Sequence, residues 1–104
     1  MRRECFSFQI FAGKEDEYQL RHDTIWLEML EALSKSGRKN YTLFRSKLVI
    51  VGYYEIEDVE LTVDEAREIE RVQSKWATSM EGIIDFSTAR GEGAHVFHEV
   101  WHMQ

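Results

Sequence analysis

From Cys5 to Phe11 the chain alternates, with Phe6, Phe8 and Ile10 on one side and Ser7 and Gln9 on the other. A period of two predicts a half-buried strand. Ala12-Gly13-Lys14 breaks it. From about residue 15 to 36 the rhythm becomes helical, with Tyr18, His22, Ile25, Met29 and Leu33 recurring at three or four. Gly37 predicts the stop, and Lys35 in the last turn suits the helix dipole. Asn40 to Phe44 and Leu48 to Ile56 read as two strands, the latter rich in Val, Ile and Tyr. The polar Arg45-Ser46-Lys47 between them predicts a hairpin. Thr62-Val63-Asp64-Glu65 has the spacing of a capping box. The helix it opens runs to about Met80, with Ile69, Val72, Trp76 and Met80 on one face, and Gly82 ends it. Asp85 to Ala94 reads as a loop, and His95 to Met103 alternates again as a last strand.

The order strand, helix, strand, strand, helix, strand is the α+β, ferredoxin-like split βαβ pattern. Both helices must then cover one face of a four-stranded sheet. The opposite face stays open and needs a partner or a ligand. The 104 residues form one domain, 1–104, with no linker or repeat.

Composition narrows the function classes. Hydrophobic residues at 43% and charged residues at 31% are a globular balance. A net charge of −6 with no basic tract argues against nucleic acid and against an anionic membrane surface. No apolar run is long enough to span a bilayer, and the N-terminus lacks a signal core. Cys5 is the only cysteine, so no internal disulfide forms, and a cytoplasmic protein is expected. The chain has no proline.

The candidate chemistry centres on His22, because histidine alone titrates unperturbed near neutral pH. Residues four apart share a helix face, so Tyr18 and Trp26 flank His22, while Arg21 and Asp23 diverge from it. A phenol, an imidazole and an indole on one stripe suit a small polar ligand with an apolar side, though the same aromatics also suit core packing. A metal site finds little support: His98 and His102 would share a strand face with His95 on the other, and no cysteine set or HExxH helix accompanies them. The serines lack a nucleophile-elbow setting. Gly91-Glu92-Gly93 follows no strand and is acidic, unlike a phosphate loop. Tyr41, Tyr53 and Tyr54 fall on the hairpin, where core packing accounts for them.

Taken in order, Glu17-Tyr18-Gln19-Leu20-Arg21-His22-Asp23-Thr24-Ile25-Trp26, Asn40-Tyr41, Trp76 with Met80, and Glu99-Val100-Trp101-His102-Met103 resemble the L-rhamnose mutarotase family over nearly the whole chain. The resemblance implies a proton-donor role for His22 and sugar contacts from Tyr18, Tyr41 and Trp76. It also implies a homodimer whose ferredoxin-like subunits form a dimeric α+β barrel, in keeping with the open sheet face. Two positions depart from the family pattern. Leu27 stands where proline usually follows the Ile-Trp pair, and Ala77 stands where a second tryptophan is common. A missing indole predicts a larger pocket and a wider choice of sugars.

The activity implied is interconversion of the α and β anomers of L-rhamnose or a related deoxy sugar, through the open-chain aldehyde. It needs a monosaccharide and no cofactor, because no redox step or high-energy bond is involved. A group of pKa near 7 is suited to taking and giving a proton in turn. Two other classes fit the same pattern: a small dimeric α+β-barrel oxygenase, which would need an axial histidine or a less hydroxyl-binding pocket, and a non-catalytic ligand-binding module.

Overall fold

A computed structural model describes residues 1–89 and 95–104. It shows an antiparallel sheet backed by three helices. Strand β1 (Arg2–Ile10) leads into α1 (Glu15–Asp23) and α2 (Leu27–Lys35), then the hairpin β2 (Arg38–Ser46) and β3 (Val49–Ile56). Helix α3 (Val63–Ser79) and two short strands, β4 (Ile84–Asp85) and β5 (His95–Phe97), complete the chain. The sheet runs β2-β3-β1-β4, and β5 pairs with β1 on the same edge as β4. Residues 90–94 of the expected 85–94 loop, Gly91-Glu92-Gly93 among them, lie outside the described residues; its first part is a 3₁₀ turn, Phe86–Thr88.

The alternation in β1 orients the sheet. Phe6 pairs with Gly52 and Phe8 with Ile50, all on the face that carries the helices. Gly52 is required there: a Cβ on it would fall 2.2 Å from Phe6 Cζ, so the ring lies directly over the glycine. Two apolar clusters fill the space beneath the helices. Ile10, Tyr18, Ile50, Met80 and Ile83 form one, and Met29, Ala32, Ile69 and Val72 the other. Trp76 packs against both.

The expected helix over 15–36 is two helices. Thr24 Oγ1 donates to the Leu20 carbonyl (2.9 Å) and Trp26 adopts an extended backbone (φ −63°, ψ 139°), so helical geometry stops before Leu27 restarts it. Thr24, Ile25 and Trp26 are β-branched or aromatic, and such residues lose rotamer freedom in a helix. Leu27 occupies the first position of α2, where a backbone N–H has no helical partner. That explains why proline suits this position. Nine residues are too few for α1 to hold alone. The buried Tyr18 and the Arg21 Nη1 bond to the Ser79 carbonyl (3.1 Å) fasten it to the core and to α3. By contrast α3 opens as its spacing predicts: Thr62 Oγ1 accepts from the Glu65 N–H and Glu65 Oε1 from the Thr62 N–H, both at 3.1 Å.

Two strands differ from expectation. β2 begins earlier, at Arg38, and contains a bulge. Lys39 pairs with Glu55 and Thr42 with Tyr53, so Asn40 and Tyr41 both oppose Tyr54. Asn40 takes the left-handed backbone (φ 52°) that makes room for the extra residue, and asparagine tolerates it better than most side chains. The expected strand from His95 to Met103 is ordered as a strand only over His95–Phe97. A strand continued to Met103 would overrun the start of β1 at Arg2, because Cys5 already lies opposite Phe97, the last residue of β5. Beyond it Arg3 Nη2 still reaches Glu99 (2.7 Å). His98 and His102 therefore share no strand face, and no group of three metal-ligating side chains exists among the described residues. No described helix is long and apolar enough to cross a membrane.

Candidate active site

A cavity of about 580 Å³ opens between the helices and β2. Tyr18 and His22 reach it from α1, Trp76 from α3 and Tyr41 from β2. All four residues singled out from the sequence thus meet in one space, well within the ~300–1,000 Å³ common for small-ligand sites. Phe8, Met29, Leu43 and Ile50 supply apolar wall.

The aromatic groups form a continuous chain of contacts. The rings of Tyr18 and His22 are 4.4 Å apart, and Trp76 meets His22 edge-on at 5.4 Å. Trp26 departs from the predicted stripe. Because the helix breaks before it, its ring backs Trp76 at 5.1 Å, carries Lys75 Nζ 5.0 Å above it, and does not line the cavity. Trp26 braces the indole wall instead of forming it.

One hydrogen bond defines the chemistry of His22. Its Nδ1 lies 2.8 Å from the main-chain carbonyl oxygen of Tyr18, one turn earlier. A carbonyl can only accept, so Nδ1 carries the proton and donates it. In the neutral ring Nε2 is then a bare acceptor, available to the cavity. Burial lowers the His22 pKa below its ordinary 6.5; the Tyr18 carbonyl and Asp23 oppose that shift without cancelling it. At neutral pH the imidazole is chiefly neutral, a base at Nε2.

The phenols are tuned the other way. Burial, with Tyr41 nearby, raises the Tyr18 pKa well above the ordinary phenol value. Tyr41 is pushed up to about 12 by burial, with Arg38 pulling against it. Both hydroxyls stay protonated and are poor proton suppliers, suited to holding oxygen atoms in place. The bulge brings Arg38 into this group. An extra residue reverses the face of every position before it. Arg38 therefore joins Tyr41 on the cavity side, with its guanidinium 4.9 Å from the Tyr54 ring centre, while Lys39 turns away to Glu57.

Sequence reasoning missed Gln19, Arg38, Arg45 and Gln73, which also line the cavity. Gln73 had a usable signal, since it lies one turn before Trp76. The larger pocket expected from Ala77 is not supported: α3 contributes Gln73 and Trp76 to the wall, and Ala77, the next residue around the helix, is not part of it.

Fold and site together define a small α+β protein with an aromatic-walled cavity and one tautomer-fixed histidine base. A family model described as L-rhamnose mutarotase matches residues 3–103. An L-rhamnose mutarotase of Oceanobacillus iheyensis is 33% identical over 105 residues, 99% of each chain. One of Lachnoclostridium phytofermentans is 37% identical over 103 residues, 94% of this chain and 98% of its own. The chain belongs to the L-rhamnose mutarotase family, a family of isomerases. The crystal structure of an L-rhamnose mutarotase from Formosa agariphila superposes with a TM-score of 0.74 over all of both chains at 19% identity, which shows the shared fold.

Proposed function

We propose that this protein interconverts the α and β anomers of L-rhamnose or a related deoxy sugar, with His22 as the acid–base group. The observation that carries the reading is the bond from His22 Nδ1 to the Tyr18 carbonyl, which frees Nε2 in a cavity walled by Tyr18, Tyr41 and Trp76. In ring opening Nε2 takes the proton of the C1 hydroxyl. The electron pair left on that oxygen forms the C1 carbonyl, and the bond from C1 to the ring oxygen breaks. The ring oxygen then receives the proton from the imidazolium. Both oxygens are bonded to C1, so one nitrogen serves each in turn, and His22 is the donor in the second half of the step. Rotation about C1–C2 and the reverse transfers close the ring on the other face. No phenol has to ionise. Tyr18 and Tyr41 hold hydroxyls, and Trp76 stacks on the apolar face of the sugar. General acid–base help of this kind is worth about 10²–10⁴-fold.

The proposal includes assembly. The strand order β2-β3-β1-β4 supports reading the chain as a ferredoxin-like subunit, and the sheet face without helices carries Val51, Tyr53 and the exposed Val49 and Phe44. Two such faces packed together make a homodimeric α+β barrel. Saturation transfer between the anomeric protons of L-rhamnose tests the activity, comparing wild type with His22→Ala. Loss of catalysed exchange in a folded variant is expected. Exchange within about twofold of wild type, a difference of only ~0.4 kcal/mol in barrier, would sink the assignment.

A further inference from the structure

We propose that Gln73 is a specificity-determining residue that binds ring hydroxyls of the sugar through its carboxamide; the idea rests on the sugar-binding reading of the same cavity. A deoxy hexose presents several hydroxyls, and a polar group buried in a site costs free energy unless it is paired. The cavity must therefore hold unspent hydrogen-bonding groups. Most of its polar side chains are already engaged. Gln19 Nε2 donates to Asp23 (2.8 Å), Arg45 Nη1 to the Lys47 carbonyl (2.9 Å), and Arg38 Nη1 to Ser36 Oγ (2.8 Å). His22 spends one nitrogen on Tyr18. Gln73 differs: it lines the cavity, is half-buried, and its side chain bonds to no other described residue. It stands on α3 one turn before Trp76, so a sugar lying against the indole comes within its reach.

A carboxamide offers one acceptor and two donors in a plane, which suits two adjacent hydroxyls and does little at a proton-transfer centre. Gln73 should consequently act on binding and on the choice between hydroxyl configurations, leaving the chemical step to His22. The test substitutes Gln73→Leu, which keeps bulk and removes every polar atom. Dissociation constants for L-rhamnose, L-fucose and D-glucose come from ligand-observed NMR titration, and KM and kcat from anomer exchange. Weakening of L-rhamnose binding by roughly three- to ten-fold is expected, the loss of one or two neutral hydrogen bonds. KM should rise in step with the dissociation constant while kcat stays within about twofold of wild type, the mark of lost uniform binding. The preference among the three sugars should also narrow, and the melting temperature should stay near that of wild type. Unchanged dissociation constants, or an unchanged order and spread of preference, would overturn the assignment. So would failure of the wild type to bind any of the three. The two proposals separate cleanly: a wild type that binds these sugars without speeding exchange refutes the activity, and the binding data still judge Gln73.

Discussion

Replacing Gly52 by alanine should damage both the core and the site. The new methyl would lie 2.2, 2.6 and 2.7 Å from Phe6 Cζ, Cε2 and Cε1, all closer than real Cβ contacts come. The ring cannot simply swing aside. It stacks on Phe8 at 6.1 Å, meets Tyr41 edge-on at 6.2 Å and tilts against Tyr54 at 6.2 Å. Overpacking of this kind costs about 1–3 kcal/mol. In a domain of this length each kcal/mol lowers Tm by about 4–8 °C. Tyr41 shares the displacement, so exchange of L-rhamnose anomers should slow as well. Thermal unfolding followed by circular dichroism gives the stability change, and saturation transfer the rate. A Phe6→Ala background supplies the control: with the ring removed, the added methyl should cost almost nothing. If Gly52→Ala melts within about 2 °C of wild type, or costs the same with and without the Phe6 ring, the steric argument is wrong.

Exchange should follow the base form of His22. Because burial holds its pKa below 6.5, kcat/KM should be flat at neutral pH and fall only below the ordinary histidine range; a fall beginning above pH 7 would contradict this. Linkage has the same sign: the unfolded chain binds this proton more readily, so the neutral ring's contribution to stability is present above the unfolded pKa and declines as pH drops towards the native one. His22→Ala should remove that part of the acid dependence. Leu27→Pro should be tolerated and should raise stability by about 0.4–1 kcal/mol, since position 27 opens α2 and Trp26 already has the extended backbone that precedes proline; a lower midpoint in urea would refute it. Sedimentation at micromolar concentration should show a dimer, and Phe44→Asp on the helix-free face should shift it towards monomer without unfolding it.

Much of the fold was legible where local pattern and tertiary demand agree. The alternation of β1, the stop at Gly37 (φ 92°) and the capping box of α3 follow from rules that act within a few residues. The break at Thr24–Trp26 was not legible, because apolar spacing from Ile25 to Met29 continues across it and neither glycine nor proline marks it. The bulge was hidden for a related reason: Asn40 reads as the start of a strand, and only pairing with β3 shows that two residues oppose Tyr54. In the candidate site, His22 and Tyr18 stood out by helical spacing. Tyr41 and Trp76 drew their roles from the family resemblance, since a strand tyrosine and a helix tryptophan are otherwise ordinary core residues. Gln73 was overlooked because a polar side chain on an amphipathic helix reads as solvent-facing until a cavity is found beside it.

The bulge at Asn40 makes strand register, and not only residue identity, a variable of this site. Deleting Asn40 would keep Lys39 opposite Glu55 and Arg38 at the cavity, whereas straightening the bulge with every residue kept would slip the preceding segment by one place along β3 and exchange Arg38 for Lys39. A flat, stacking guanidinium would give way to a mobile ammonium without any codon for either having changed. Relatives of the same length that pair here without the bulge would thus present a different cation to the cavity even where their basic residues are identical. A gap-free alignment would conceal that switch.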